Sequence, residues 1–253
     1  MTTPMQVPTL FPTGTPAPPA PTATPGDTGW QPAAPGVELR RMQAQLDGFA
    51  APVQVARIDP ATVAFELGYA PDSPLALRAW VAQSGAVASI NGGFFDEQGR
   101  TVALLVRDGE RFGESYVGRG GQFSIDFDGA ISLRSLAATP YDPAEPLATA
   151  LQGWPMLVWP AGVATYDFED GERARRSALA IDGEGRVLLI ACPTAAFTLR
   201  ELSQWLAGSD LEIAAAMNLD GGSSTGLLVH GDQAESHIEA FVPLPIVFMA
   251  IPQ

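Results

Sequence analysis

The stretch IAAAMNLDGGSST, residues 213–225, decides how this chain builds its candidate site. It begins with small and apolar residues, which predict a buried strand, and a glycine pair ends that strand in a tight turn. Because side chains two apart on a strand point to the same face, Asn218 and Asp220 share one side, and their neighbours face a core. The sequence therefore predicts a scaffold that presents a carboxamide and a carboxylate at a strand end.

The turn that follows Asp220 is rich in unshielded backbone amides and in hydroxyl groups. Spacing alone leaves two interpretations open. In one, the turn forms a nest that binds an anion, and in the other, Asp220 bonds its own backbone in an ordinary hairpin turn. The candidate binding residues of this turn are Gly221, Gly222, Ser223, Ser224 and Thr225.

A second stretch, AVASINGGFF at residues 86–95, has the same pattern, with Asn91 standing before Gly92 and Gly93. An apolar run again predicts a buried strand, and the glycine pair again permits close approach of a ligand to the backbone. Asn91, Gly92 and Gly93 are therefore candidate binding residues.

A helix is predicted immediately before each of these two strands. The first is expected to be capped by Ser73 with Pro74 at its first position and to end at Gly85. The second begins with the capping box of Thr198 and Glu201. This order suggests an internal duplication that would place the two glycine turns side by side, although coincidence is an equally open interpretation.

Composition narrows the classes of function. The 253 residues include no lysine, so all fourteen basic residues are arginine, and the net charge is −14. An acidic chain argues against a nucleic-acid partner, and any phosphate site must rest on local arginines and backbone dipoles. The single cysteine, Cys192, excludes an intrachain disulfide and is predicted to be a small buried hydrophobe.

Proline, threonine and alanine dominate residues 4–35. This composition predicts a disordered, partly polyproline II linker over residues 1–36 and a single domain over residues 37–253. We expect such a tether to place the domain outside the cell or on its surface, with a signal or anchor outside this sequence. A cytoplasmic protein with a flexible tail is the alternative. No segment approaches the ~20 apolar residues that span a bilayer.

The rest of the chain is rich in predicted strands. Asp-Gly pairs at residues 128–129 and 182–183 are typical of hairpin turns between them. The expected fold class is therefore α+β, with one or two mixed, strand-rich sheets and a few packed helices.

Four segments together resemble the phosphodiester glycosidase family. The two asparagine-glycine stretches are similar to its two signature motifs. RSALAID at residues 176–182 is similar to a third family segment, and GWPML at residues 153–157 is a weaker fourth match. The order and separations agree, and the resemblance covers roughly residues 50–250.

Two segments depart from the family pattern. RTVA at residues 100–103 stands where the family usually has a proline-containing turn and a glycine. FVPLP at residues 241–245 lacks the arginine and asparagine expected there. These departures concern the identity of the substrate more than the fold.

The resemblance implies a hydrolase that cleaves the glycosidic C1–O bond of a sugar 1-phosphodiester. Such cleavage passes through an oxocarbenium-like transition state, for which glycosidases usually use two carboxyl groups. Asp220 is then expected to face the anomeric carbon as nucleophile, base or cation stabiliser, with Asp96 as the leading second carboxylate. Asn218 and Asn91 would hold sugar hydroxyls or orient Asp220.

The departing phosphate monoester is weakly basic, so it needs neutralisation of charge more than protonation. Arg176 is predicted to bind it, because a guanidinium pairs bidentately with phosphate oxygens. Arg175 is the neighbouring alternative, but adjacent strand residues face opposite ways. Arg176 has a second interpretation, a surface ion pair with Glu172 or Asp182.

Other interpretations remain open at this stage. Asp96 is also compatible with an ordinary exposed turn. The alternative function is a non-catalytic surface module that binds a glycan or phosphoglycan. No cofactor is predicted, and His230 and His237 lack the spacing of metal ligands, but asparagine, aspartate and carbonyl oxygens could hold Ca²⁺.

Overall fold

The computed structural model describes residues 26–253. The predicted linker up to residue 25, and the cellular location inferred from it, lie outside the described residues. Within residues 26–253 the chain forms seventeen strands, two α-helices and one short 3-10 helix. The elements are β1 Gln31–Ala34, β2 Val37–Leu46, β3 Phe49–Ile58, β4 Val63–Tyr69, α1 Leu77–Ser84, β5 Ala88–Asn91, β6 Leu105–Arg107, β7 Glu110–Phe112, β8 Gly121–Asp126, β9 Ile131–Ser135, β10 Leu147–Gly153, β11 Met156–Val158, β12 Ala174–Asp182, β13 Val187–Phe197, α2 Leu199–Gly208, β14 Ile213–Asn218, the 3-10 helix Gly222–Ser224, β15 Leu227–Val229, β16 Ser236–Ile238 and β17 Ile246–Pro252.

The strands form three sheets. Their strand orders are β1-β2-β3-β13-β12-β14-β11, β7-β6-β10-β8-β9 and β16-β15-β5-β17-β4. The chain is thus strand-rich and mostly β, so the α+β prediction fits only loosely. The expectation of mixed sheets is wrong for the described residues, in which every strand pairing is antiparallel.

The connections through the two helices follow the same arrangement. β4 and β5 are joined through α1, and both pair with β17, which lies between them. β13 and β14 are joined through α2, and both pair with β12, which lies between them. Each helix therefore links two strands of the same direction that are separated by one antiparallel strand. The duplication suggested by the sequence is present as this repeated unit.

The two helices differ in how they begin. The predicted start of α1 at Ser73 and Pro74 is wrong, since the helix begins at Leu77 after Ala76, which gives no side-chain cap. The chain before it is instead held by Leu75, whose amide donates to the Leu244 carbonyl at 3.2 Å, just before β17. Its predicted end at Gly85, with φ +72°, is confirmed. The capping box that begins α2 is also confirmed.

The folded domain begins earlier than the sequence predicted. β1 lies inside the segment expected to be linker, and it pairs with β2. Two residues before it are also anchored: Asp27 binds Arg40 at 2.6 Å, and the Trp30 ring lies 3.9 Å from the Arg57 guanidinium. These contacts hold residues 27–34 against the domain. The predicted boundary between linker and domain, at residue 36, is therefore too late in the sequence.

One large core joins the three sheets. Phe248 of β17 stacks on Phe65 of β4 at 5.3 Å between ring centres and meets Phe123 of β8 edge-on at 5.1 Å. Cys192 is buried in a second cluster beneath α2, as predicted, and burial raises the pKa of its thiol to about 12. Neither helix in the described part of the chain has the length and apolar character needed to cross a membrane.

Candidate functional site

The two glycine turns meet, although their strands belong to different sheets. The Asn91 side-chain amide donates to the Asp220 carbonyl at 2.7 Å, and the Asp220 amide donates to the Gly92 carbonyl at 3.1 Å. The prediction that the two turns lie side by side is therefore confirmed. The ends of β5 and β14 are fixed to each other by these bonds.

Asn91 is a buried brace rather than a wall of the site. Its side chain is fully occupied: besides its bond to Asp220, its Oδ1 accepts from the Ser177 hydroxyl at 2.7 Å and from the Gly226 amide at 3.1 Å. Since only 1% of Asn91 is exposed, it does not face a sugar. Of its two predicted roles, the geometry allows only the orientation of Asp220.

Gly92 and Gly93 are buried for reasons of packing. A Cβ at Gly92 would lie 2.3 Å from the Ile246 side chain, and one at Gly93 would lie 2.8 Å from the Gln152 carbonyl oxygen. Glycine is required because neighbouring strands approach here. These contacts explain the glycines by packing, and a role of Gly92 and Gly93 in binding substrate stays a prediction.

Asn218 holds the chain that carries Trp154. Its side-chain amide donates to the Trp154 carbonyl at 2.8 Å, and only 3% of the residue is exposed. Its Oδ1 is buried without a partner among the described residues. Asn218 therefore lies beneath the site and positions its wall, which disagrees with a direct catalytic role.

Asp220 is the partly exposed carboxylate at the junction of the turns. Its Oδ1 accepts from the Gly221 amide at 2.9 Å, as the hairpin interpretation expected. Burial raises the pKa of this carboxyl group above its ordinary value, while the Ser224 hydroxyl and the Gly221 amide act in the opposite direction. An ionised Asp220 is thus held in a partly desolvated place, where its charge interacts strongly with a nearby cation.

The rest of the turn divides into an outer and an inner part. Ser223 is exposed and Gly222 is half-buried with φ +61°, and the amides of both donate to no acceptor in residues 26–253. The amides of Ser224 and Thr225 are used within the 3-10 helix, and both residues are buried. Only the amides of Gly222 and Ser223 therefore remain for the predicted anion nest.

Asp96 is engaged in its own turn in this arrangement. It is exposed, and its Oδ1 accepts from the amides of Gln98 and Arg100, both at 2.9 Å. These bonds close a local turn, which is the ordinary role of aspartate after a strand. The geometry favours the turn interpretation, and the catalytic role of Asp96 stays a prediction.

Arg176 lies beside the turn. A Cβ placed on Gly221 would lie 4.0 Å from the Cδ of Arg176, so the aliphatic part of the Arg176 side chain lies beside this turn. Its guanidinium donates to two carbonyls, those of Phe197 at 3.1 Å and Glu172 at 2.6 Å. The alternative of an ion pair is not what the described residues show, because Arg176 meets the backbone of Glu172, and Asp182 pairs with Arg186.

The positive charge of Arg176 is therefore available to an anion. Its Nη1 donates to no described residue. Burial lowers the pKa of Arg176, with Asp170 and Glu172 opposing, but an arginine starts so high that it stays charged. No carboxylate within salt-bridge distance neutralises it in the part of the chain that the structure describes.

The structure adds aromatic residues that the sequence analysis did not single out. Tyr116 lies close enough to Asp220 for its pKa to be raised by that charge, after the larger effect of burial. The Trp154 ring meets Tyr166 edge-on at 5.9 Å. The Gly-Trp-Pro match was a signal for Trp154, whereas no motif marked Tyr116. A cavity of about 290 Å³ is lined by Phe94, Phe95, Val102, Tyr116, Arg119 and Trp154.

No metal centre is evident at this site. Within residues 26–253 no three histidine, cysteine, aspartate or glutamate side chains are grouped as metal ligands would be. The arrangement offers instead one desolvated carboxylate, one uncompensated arginine, two open backbone amides and an aromatic wall. These groups suit a neutral sugar that carries an anionic substituent.

Comparisons with known proteins show which solved structures share this fold. Among solved structures, the auto-inhibited catalytic domain of zebrafish N-acetylglucosamine-1-phosphodiester α-N-acetylglucosaminidase is similar, with a TM-score of 0.69 and 17% identity over 87% of this chain and 85% of that chain. A hypothetical protein from Synechocystis has a TM-score of 0.65 and 15% identity over 87% of this chain and 62% of its own. At these identities the likeness shows a shared fold.

Curated proteins gave no match to this chain. A comparison with protein families matches residues 84–247 to the family described as phosphodiester glycosidase. The matched region contains both glycine turns, Arg176 and the aromatic wall. Because it spans more than half of the sequence, this chain belongs to the phosphodiester glycosidase family.

Proposed function

We propose that this chain is a hydrolase that cleaves the glycosidic C1–O bond of a sugar 1-phosphodiester. The observation that carries the proposal is that the partly buried Asp220 carboxylate and the side chain of Arg176 both lie beside Gly221. Membership of the phosphodiester glycosidase family supports the reaction type. The zebrafish relative, whose name contains a sugar 1-phosphodiester, supports the substrate class.

The leaving group explains why one carboxylate suffices. Hydrolysis of an ordinary glycoside expels an alkoxide, which must be protonated, and a second carboxyl group supplies that proton. A sugar 1-phosphodiester expels a phosphate monoester, whose oxygens already spread the negative charge. Arg176 and the open amides of Gly222 and Ser223 stabilise this charge as the C1–O bond breaks. The exposed Asp96 is not required.

Asp220 acts on the other partner of the broken bond. Positive charge develops at the anomeric carbon as the phosphate leaves, and a carboxylate beside it lowers the energy of that transition state. A water molecule then bonds to the anomeric carbon, its proton passes to Asp220 or solvent, and free sugar is released. The partial burial of Asp220 strengthens this electrostatic effect, since the local dielectric is low.

The aromatic cavity supplies the surface for the sugar. Tyr116 and Trp154 line this cavity, Tyr116 lies near the Asp220 charge, and aromatic ring faces pack against the C–H faces of sugar rings. Asn218 fixes the backbone of Trp154 from below. We propose that Asn218 and Asn91 position the site without touching the substrate.

The test is turnover by the full chain. A panel of sugar 1-phosphodiesters is incubated with the purified protein, and the release of free reducing sugar is measured. The Asp220→Asn variant is the matched control, because it keeps the shape of the side chain. The proposal expects release by the natural chain and a large loss in the variant, and no release by either from any ester in the panel would contradict it.

A non-catalytic phosphoglycan-binding module is the second candidate. It is favoured by one observation, which is that Asp96 is committed to its own turn and leaves Asp220 as a lone carboxylate. A module would bind the same esters through Arg176 and release nothing. Calorimetric binding measured beside the turnover assay separates the two functions.

A further inference from the structure

Arg175 points away from Arg176 and is buried without a charged partner. Only 8% of Arg175 is exposed. Its Nη2 donates to the Glu239 carbonyl at 2.9 Å, but its Nε and Nη1 are buried and have no acceptor among the described residues. A buried guanidinium with unmet donors is unfavourable, because desolvation of a charge is costly unless an anion or hydrogen bonds replace the water.

No carboxylate among the described residues pairs with Arg175. Every aspartate and glutamate of the sequence lies in residues 26–253, because residues 1–25 contain neither. The ion pairs of that region involve other arginines. Desolvation also lowers the pKa of Arg175, with no carboxylate nearby to oppose it. The charge of Arg175 is therefore left open to an anion from another molecule.

Phe241 covers this arginine. Its ring centre lies 4.0 Å from the Arg175 Cζ, yet 75% of the phenylalanine is exposed. Its amide donates to the Ser223 carbonyl at 2.7 Å, so the loop that carries Phe241 rests on the turn that follows Asp220. An exposed phenylalanine and an unpaired buried arginine are each unfavourable. An anion that enters between them would remove the second cost.

We propose that Arg175 and Phe241 form a second anion-binding site, which takes a phosphate group when the Phe241 ring moves aside. The site lies on the opposite flank of the turn from Arg176, because neighbouring residues of a strand face opposite ways. It stands independently of the proposed hydrolysis. The phosphate group is either free inorganic phosphate or part of a sugar phosphate, and both sources use the same donors.

The test follows the arginine Nε–H signals of the ¹⁵N-labelled full chain by NMR. Inorganic phosphate is titrated at constant ionic strength, with sodium chloride as the reference. The Arg175 signal, assigned from its loss in Arg175→Lys, is expected to shift with saturation. A parallel titration with glucose 1-phosphate distinguishes the sources: a lower Kd for the ester assigns the site to a sugar phosphate, and an equal or lower Kd for the free ion assigns it to inorganic phosphate.

Variants separate this site from that of Arg176. In Arg176→Gln the Arg175 signal should still respond to phosphate with nearly the same Kd. In Arg175→Gln, which lacks that signal, the phosphate-dependent shift of the Phe241 ring signals should weaken by roughly tenfold or more in Kd, since charge-assisted hydrogen bonds are lost. Phe241→Ala, at an exposed position, should keep or tighten binding because the cover is gone.

Three results would overturn the proposal. The first is an Arg175 signal that does not shift while phosphate binds elsewhere. The second is a complete loss of the Arg175 response in Arg176→Gln. The third is a complete loss of that response in Phe241→Ala. If Arg175→Gln does not fold, the signals of the natural chain and of Phe241→Ala decide alone. Failure of the turnover assay would leave this site unaffected, so the two proposals are tested separately.

Discussion

The two glycine turns share one sequence pattern but have different environments. The turn at Asn91 is buried under β17 of its own sheet and β10 of another sheet, and the Asn91 side chain makes all its hydrogen bonds to protein groups. The turn at Asp220 is partly exposed and keeps two backbone amides without acceptors among the described residues. The duplicated unit has therefore produced one brace and one candidate site, and the brace holds the site in place.

The largest effect on turnover is expected from a change at Asp220. Asp220→Asn should slow turnover of a sugar 1-phosphodiester by about 10²–10⁴-fold, because the charge that meets the developing cation is lost. Binding of a sugar phosphate should persist, since Arg176 and the open amides remain. Steady-state kinetics and calorimetry on the same preparation measure both quantities, and near-normal turnover would refute the mechanism.

A change at Asn91 is expected to reduce the stability of the fold, whereas the change at Asp220 acts on turnover. Asn91→Ala leaves the Asp220 carbonyl, the Ser177 hydroxyl and the Gly226 amide without their partner, so the free energy of unfolding should fall by about 3 kcal/mol or more. Urea denaturation measures the loss. Ser177→Ala is the matched control, which removes one of these bonds and should cost less. A loss no larger than that of the control would mean that Asn91 is not the brace.

Sequence reasoning placed the two turns side by side correctly, but it did not foresee which of their residues are buried by distant strands. The alternation of side chains located Asn218 and Asp220 on one face, and the capping box located α2, because both signals are local. The burial of Gly92 and Gly93 depends on Ile246 and Gln152, which come from distant strands. Such contacts leave no trace in local spacing.

The same limit explains the residues that were missed. Tyr116 lies in a loop without a recognisable motif, and it reaches Asp220 only because the second sheet packs against the other two. Asp96 comes directly after the Asn-Gly-Gly-Phe-Phe motif, and a catalytic role was predicted for it because of that position. The structure instead gives it a local turn, which its neighbouring amides already favoured.

A change at Arg176 is expected to act mainly on substrate binding. Arg176→Lys keeps the charge but loses the planar fork, so KM should rise by about tenfold while kcat changes less. The matched control is Arg200→Lys, which changes an exposed arginine at the start of α2 and should leave both constants unchanged. An unchanged KM in Arg176→Lys would remove Arg176 from the phosphate site.

The smallest expected effect concerns pH and stability at the Asp220 turn. Burial raises the pKa of Asp220 in the folded state above the value of 3.8 that applies when the chain is unfolded. A carboxyl group with a raised pKa contributes stability below the unfolded value, and that contribution is lost as the pH rises through the folded pKa. Ionised Asp220 therefore lowers the stability of the natural chain at neutral pH. Asp220→Asn has no such charge.

The Tm of Asp220→Asn minus the Tm of the natural chain should therefore increase as the pH is raised from about 4 towards neutrality. The increase should be a few degrees at most. Activity should appear over the same interval, because the mechanism requires the carboxylate. Thermal melts and rates measured across this range check both curves. A Tm difference that is constant with pH, or that shrinks as pH rises, would show that Asp220 is not held in a desolvating environment, and the contrast with the fully satisfied Asn91 would then have to rest on exposure alone.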